Sequence, residues 1–141
     1  MYLDTSILIK LLVPEPDSGQ FQELLRGALL STSELAMTEV WSALLSKERI
    51  RQITARHRAA AWSVFNERIL TQEIQIHPLG SVTLKKANGI LEICHPKVPL
   101  RTLDAIHLAA CDLSQDFPLC TTDARMREAA KVLKIPVVPE Q

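Results

Sequence analysis

The 141-residue chain has no net charge, because 16 Lys and Arg balance 16 Asp and Glu. Domains that grip a nucleic-acid backbone by bulk charge are strongly basic, so that argument for nucleic-acid binding is missing. Aromatic residues are scarce at 4%, which excludes base stacking as the principal means of holding a single strand. No apolar run approaches the ~20 residues of a membrane span. The chain opens Met1-Tyr2-Leu3-Asp4, with no basic stretch and no cleavage site after an apolar one. The expectation is a cytoplasmic protein with no membrane partner. Cys94, Cys111 and Cys120 are odd in number and show no CxxC spacing. This excludes a disulfide framework or zinc knuckle and reads as small buried hydrophobes in a reducing compartment. Internal repeats and low-complexity tracts are absent too.

What is present is a globular core. Hydrophobic residues make up 47%, and the length suits a single domain, 1–141. Apolar spacing predicts short strands at Met1–Leu3, Ala28–Thr32, Ile74–Pro78, Pro118–Thr122 and Ile135–Val138. The last contains Pro136 and is expected at an edge. Between them, helical spacing runs through Ile7 to Leu12 and from about Pro16 to Arg26. Further helices are predicted from near Thr38 and after a Thr54 cap, the latter with Trp62, Phe65 and Ile69 inward. Ser81 to Cys94 has Val82, Leu84, Ile90, Leu91 and Cys94 apolar. Thr102 to Leu113 has Leu103, Ile106, Ala110 and Leu113 on one face, and Met126 to Leu133 is helical again. Strands separated by helices predict an α/β fold: a central, mostly parallel sheet of about four to five short strands flanked by helices. In such sheets, ligands bind outside the carboxyl ends of the strands.

Four acids fall on that edge. Asp4 follows the first strand and Asp123 a later one. Glu39 is expected near the start of the Thr38 helix, and Asp104 in the first turn of the Thr102 helix. Singly, each is an ordinary cap or dipole partner. Together, in apolar surroundings, they repel: two charges about 4 Å apart at an effective dielectric near 20 cost about 4 kcal/mol. Protonation or a cation must relieve this. Oxygen-only ligands suit Mg²⁺ or Mn²⁺, and such a site supports phosphodiester hydrolysis.

These residues resemble a known family. Asp4-Thr5-Ser6 after an N-terminal strand, Thr38-Glu39 opening a helix, Leu103-Asp104-Ala105-Ile106-His107-Leu108-Ala109 and Thr121-Thr122-Asp123 occur in the order seen in PIN domains. The chain is similar to VapC-type toxins, the ribonuclease half of VapBC toxin–antitoxin pairs, over nearly its whole length. The resemblance implies a PIN-like three-layer fold. It makes Asp4, Glu39, Asp104 and Asp123 the acidic quartet holding one or two Mg²⁺ or Mn²⁺ ions, with Ser6 and Thr121 in support. It further implies endonucleolytic cleavage of RNA, a homodimer, and silencing by a VapB-type antitoxin.

Other residues read as follows. Arg101 stands three residues before Asp104, placed to pair a carboxylate in the empty site and a phosphate when substrate binds. Lys47, Arg49, Arg51, Arg56 and Arg58 form a basic stretch, either a solvated surface or a rim for RNA phosphates or antitoxin acids. His107 lies on the Asp104 side of its helix and reads as a structural, hydrogen-bonded histidine. Trp41 and Trp62 read as core or dimer contacts. Two alternatives share the acids: a non-catalytic RNA- or protein-binding module, and a structure-specific DNA nuclease. With two divalent ions bound, the neutral chain would carry about +4, since ions belong to the site's electrostatics.

Overall fold

The computed structural model describes residues 1–140; Gln141, the end of the domain read as 1–141, lies outside the described residues. Strand β1 (Tyr2–Leu3) leads through Asp4 into α1 (Thr5–Leu12) and then α2 (Ser18–Leu24). Strand β2 (Leu30–Ser33) is followed by α3 (Leu35–Arg49) and α4 (Ala55–Leu70). Strand β3 (Ile74–His77) precedes α5 (Ser81–Cys94) and α6 (Thr102–Ser114). Strand β4 (Leu119–Cys120), α7 (Ala124–Leu133) and β5 (Val137–Val138) complete the described chain.

The five strands form one sheet in the order β3-β2-β1-β4-β5. Every pair is parallel, with Tyr2 opposite Ser31 and Leu119, and Leu3 opposite Cys120. The alternation of strands and helices dictates this, because parallel neighbours need crossovers. Strand order reverses between β1 and β4, so the carboxyl ends of those two strands flank the switch point where such sheets bind ligands. Strand β5 is an edge, as Pro136 requires; the Pro136 carbonyl still accepts from Leu119 N–H at 2.9 Å.

Successive strand residues point to opposite faces, and this divides the core. Tyr2 and Leu119 pack with Ala87, Ile90, Cys94, Leu108 and Met126 on one side. Leu3 and Cys120 pack with Ile7, Leu8, Val40, Leu44, Phe65 and Ile74 on the other. Helix α6 is buried without interruption from Asp104 to Cys111, as expected of a helix apolar nearly all round.

Several boundaries differ from the sequence reading. Helix α3 begins at Leu35, not near Thr38. The Ser33 hydroxyl accepts from Leu35 N–H at 3.1 Å, and the buried stripe already starts at Ala36, continuing through Val40 and Leu44. Glu39 therefore sits in the second turn rather than at the helix start. Helix α7 begins at Ala124, not Met126, because Asp123 caps it by accepting from Met126 N–H at 2.9 Å. Val82, Leu84, Leu103 and Leu113 are exposed; on α5 the inward stripe is Thr83, Ala87, Ile90 and Cys94. Thr54 caps α4 as read, accepting from His57 N–H. The three cysteines are free and buried. Burial pushes the Cys111 and Cys120 thiols up to about 12, so both behave as hydrophobes. Among the described residues, no helix is long and apolar enough to cross a membrane.

Candidate active site

Asp4 caps α1, its Oδ1 accepting from Ile7 N–H at 3.0 Å and from the Ser6 hydroxyl at 2.7 Å. Its Oδ2 accepts from the Thr121 hydroxyl. An Asp directly after a strand and before an apolar helix is both a good cap and an acid held at the sheet edge. Asp4 is only 4% exposed. Burial pushes its carboxyl above the ordinary range, against the pull of the hydrogen bonds from Thr121, Ser6 and Ile7.

Thr121 follows β4 and acts twice. Its hydroxyl donates to Asp4 and accepts from Asp123 N–H at 3.1 Å. Asp123 is thereby fixed beside Asp4, and its partly exposed carboxylate faces the same opening. Asp104, in the first turn of α6, is 8% exposed. Arg101 joins these last two acids: Nε donates to Asp104 at 2.7 Å and one Nη donates to Asp123 at 3.1 Å.

Glu39 reaches in from α3. Its Oε1 accepts from the Thr5 hydroxyl at 2.8 Å and lies 2.5 Å from His107 Nε2. Desolvation pushes its carboxyl up. The His107 and Thr5 hydrogen bonds and the nearby Arg101 charge outweigh that and hold it below the ordinary range. His107 Nδ1 meets the Tyr2 hydroxyl at 2.8 Å.

The result is a cleft of about 160 Å³ lined by Asp4, Thr5, Ser6, Glu39, Arg101, Asp104, His107, Asp123 and Met126. All four acids, Ser6 and Arg101 border it, while Thr121 stands behind Asp4. The basic stretch does not. Lys47 pairs with Glu15 at 3.0 Å, and Arg58 pairs with Glu48 at 2.6 Å while lying over the Trp41 ring. Arg49, Arg51 and Arg56 are exposed, but Lys47 already lies about 12 Å along α3 from Glu39 at 1.5 Å per residue. Trp41 packs on Trp62 with centroids 4.8 Å apart.

Two site residues escaped the sequence reading, Thr5 and Tyr2, while His107 is the hydrogen-bonded histidine on the Asp104 side that its spacing implied. Thr5 carried a signal in its place one residue after Asp4. Tyr2 carried none, since its hydroxyl reaches His107 only through the sheet–helix packing.

As they stand, no three Asp, Glu, His or Cys side chains among the described residues surround a single point as ligands; the Arg101 guanidinium spans Asp104 and Asp123 instead. The donor chemistry nonetheless fits a hard divalent cation. The cleft's carboxylates and hydroxyls are hard oxygen donors, with the Met126 thioether the soft exception in its lining, and Mg²⁺ uses one or two carboxylates completed by water and substrate phosphate.

A parallel α/β sheet with a carboxylate cleft at its switch point defines the class of protein. Within that class the chain belongs to the PIN domain family, whose sequence profile matches residues 1–132. It is 36% identical over 141 aligned residues to Ribonuclease VapC46 of Mycobacterium tuberculosis, covering 98% of this chain and 95% of that one. Its fold is similar to a chain in the crystal structure of VapBC2 from Rickettsia felis bound to a DNA fragment from their promoter. There the TM-score is 0.69 at 11% identity, over 97% of this chain and 96% of that one. It is similar also to a chain of a toxin–antitoxin complex from Klebsiella pneumoniae, with TM-score 0.63 and 17% identity, over 98% and 95% of the two chains. The family read from the four acidic motifs is thus the one to which the chain belongs.

Proposed function

We propose that this chain, as a single domain over 1–141, is a Mg²⁺- or Mn²⁺-dependent endoribonuclease and the toxin of a toxin–antitoxin pair. One observation carries the reading: four carboxylates, drawn from positions 4, 39, 104 and 123, line one cleft. The name of the M. tuberculosis relative supports ribonuclease activity, and the complexes in which similar folds were solved support an antitoxin partner. A homodimer and a cytoplasmic location complete the proposal.

Asp4, Asp104 and Asp123 would hold the ion, with Glu39 completing the set. Bound there, a divalent cation supplies charge for the scissile phosphate and lowers the pKa of an attacking water. The rest falls to the chain. Thr121 and Ser6 hold the Asp4 carboxylate, and Thr5 holds that of Glu39. Arg101, mostly exposed at the cleft mouth, offers a planar guanidinium to a phosphate. In-line attack of water on phosphorus breaks the bond to the 3′ oxygen, which leaves with a proton. The products are a 5′-phosphate and a 3′-hydroxyl.

The test is cleavage of total RNA and of flap-bearing duplex DNA with Mn²⁺ or with chelator, for the parent and Asp104→Asn. The expected result is RNA cleavage that needs metal and is lost in the variant. Cleavage confined to DNA favours the DNA nuclease. Binding of RNA without cleavage favours the non-catalytic module.

A further inference from the structure

His107 is the residue this mechanism leaves least explained. It is 3% exposed, yet it borders the cleft. A polar ring buried to that degree is costly unless both nitrogens are satisfied. Here both are. Nδ1 lies 2.8 Å from the Tyr2 hydroxyl and Nε2 lies 2.5 Å from Glu39 Oε1. Tyr2, in the central strand β1, is fully buried, its ring edge-on to the imidazole with centroids 5.9 Å apart.

We propose that His107 is a positioning residue, the middle of a buried relay in which Tyr2 fixes His107 and His107 fixes the Glu39 carboxylate at the cleft. This rests on the reading of the cleft as a metal-dependent ribonuclease site.

The direction of the relay follows from its two ends. Glu39 is an acceptor, so Nε2 carries a hydrogen and donates to it. With Nε2 carrying the hydrogen, Nδ1 has a bare lone pair, and the Tyr2 hydroxyl 2.8 Å away is the O–H that donates to it. The ring is thereby held as the Nε2–H tautomer. Position matters as much as tautomer. Glu39 projects from the second turn of α3 on a flexible side chain, unlike Asp4 and Asp123, which are tied to helix N-termini. Thr5 donates to the same oxygen of Glu39 that faces His107. That leaves Oε2 directed by two donors and free for a ligand. Groups that hold a carboxylate ligand in this way typically matter 10–100-fold to metal affinity or activity.

The experiment compares the full-length parent with His107→Leu, His107→Gln and Tyr2→Phe. It reads Mn²⁺ binding by calorimetry, kcat and KM on an RNA oligonucleotide, melting temperature, and the ¹⁵N shifts of His107 in metal-free protein. Gln places an N–H near the Nε2 position and serves as the conservative rescue. His107→Leu is expected to weaken Mn²⁺ binding and lower kcat about 10-fold, with KM little changed. His107→Gln should recover both to within about 3-fold, and Tyr2→Phe should lose about 3-fold. The ¹⁵N shifts should report Nε2–H and a bare Nδ1. Equal defects in the Gln and Leu variants, or an Nδ1–H tautomer, would overturn the relay in favour of plain packing. Should the Leu variant fail to fold, parental Mn²⁺ binding in Tyr2→Phe has the same force. If the parent itself shows no Mn²⁺-dependent cleavage, it is the ribonuclease reading that fails.

Discussion

Thr121 and Asp4 stand 117 positions apart in the chain and share a buried hydrogen bond, the Thr121 hydroxyl donating to the Asp4 carboxylate. It closes the gap between the carboxyl ends of β1 and β4, whose residues Leu3 and Cys120 are partners in register. The same hydroxyl receives the Asp123 N–H. One side chain thus sets the spacing of two of the four acids.

Replacing Thr121 by Val keeps the volume and removes the hydroxyl. Asp4 Oδ2 then loses its buried donor, which costs about 1–3 kcal/mol. A urea titration should show a lower midpoint with an unchanged slope. Mn²⁺ affinity should fall about 10-fold. A variant with parental stability and Mn²⁺ affinity would deny Thr121 this role.

Asp4→Asn should separate stability from activity. The folded-state pKa of Asp4 is raised by burial, so ionised Asp4 opposes folding above the unfolded value of about 3.9. Asn keeps the cap on α1 and carries no charge. In metal-free buffer at pH 7 the variant should melt about 3 °C above the parent. The difference should close as pH falls below about 4, where both states of the parent bind the proton. RNA cleavage should drop more than about 100-fold. A variant that melts below the parent at pH 7 contradicts the sign.

Arg101 spans Asp104 and Asp123, so an ion held by those acids competes with its guanidinium. Arg101→Gln should bind Mn²⁺ a few times more tightly, because a rival cation is gone. Its KM for RNA should rise, because a phosphate partner is gone too. Opposite movements of the two constants are the signature; a parallel loss of both would place Arg101 among the groups that merely shape the cleft.

The five basic residues between 47 and 58 divide by their partners. Lys47 and Arg58 are engaged with Glu15 and Glu48. Alanine at either should lower stability by about 0.5 kcal/mol and leave RNA affinity unchanged. Arg49, Arg51 and Arg56 are exposed, and together we expect them to meet phosphates beyond the cleft. Their triple alanine variant should flatten the plot of log affinity against log salt by about 2, at about 0.7 per contact on a single strand. An unchanged slope would leave the antitoxin as the partner for that surface.

The architecture, and the placing of three acids at the carboxyl edge of the sheet, were legible in the sequence. Strands alternating with helices leave little choice but a parallel sheet. Its carboxyl edge collects whatever follows each strand, so Asp4 and Asp123 were legible from their places after Leu3 and Cys120. Asp104 was legible from its helix start. Zero net charge hides an acidic cleft, while the basic stretch from 47 to 58 is partly paired, Lys47 with Glu15 and Arg58 with Glu48. Tertiary structure decided what local pattern does not encode. Glu39 is not at a helix start, because the Ser33 hydroxyl lets α3 begin at Leu35; it reaches the cleft by the packing of α3. Arg101 bridges two acids that lie 19 positions apart in the chain. Tyr2, His107 and Glu39 form a line because β1, α6 and α3 meet at one edge. Hydrogen bonds of that kind depend on distances between elements, and those are fixed by how the two faces of the core fill.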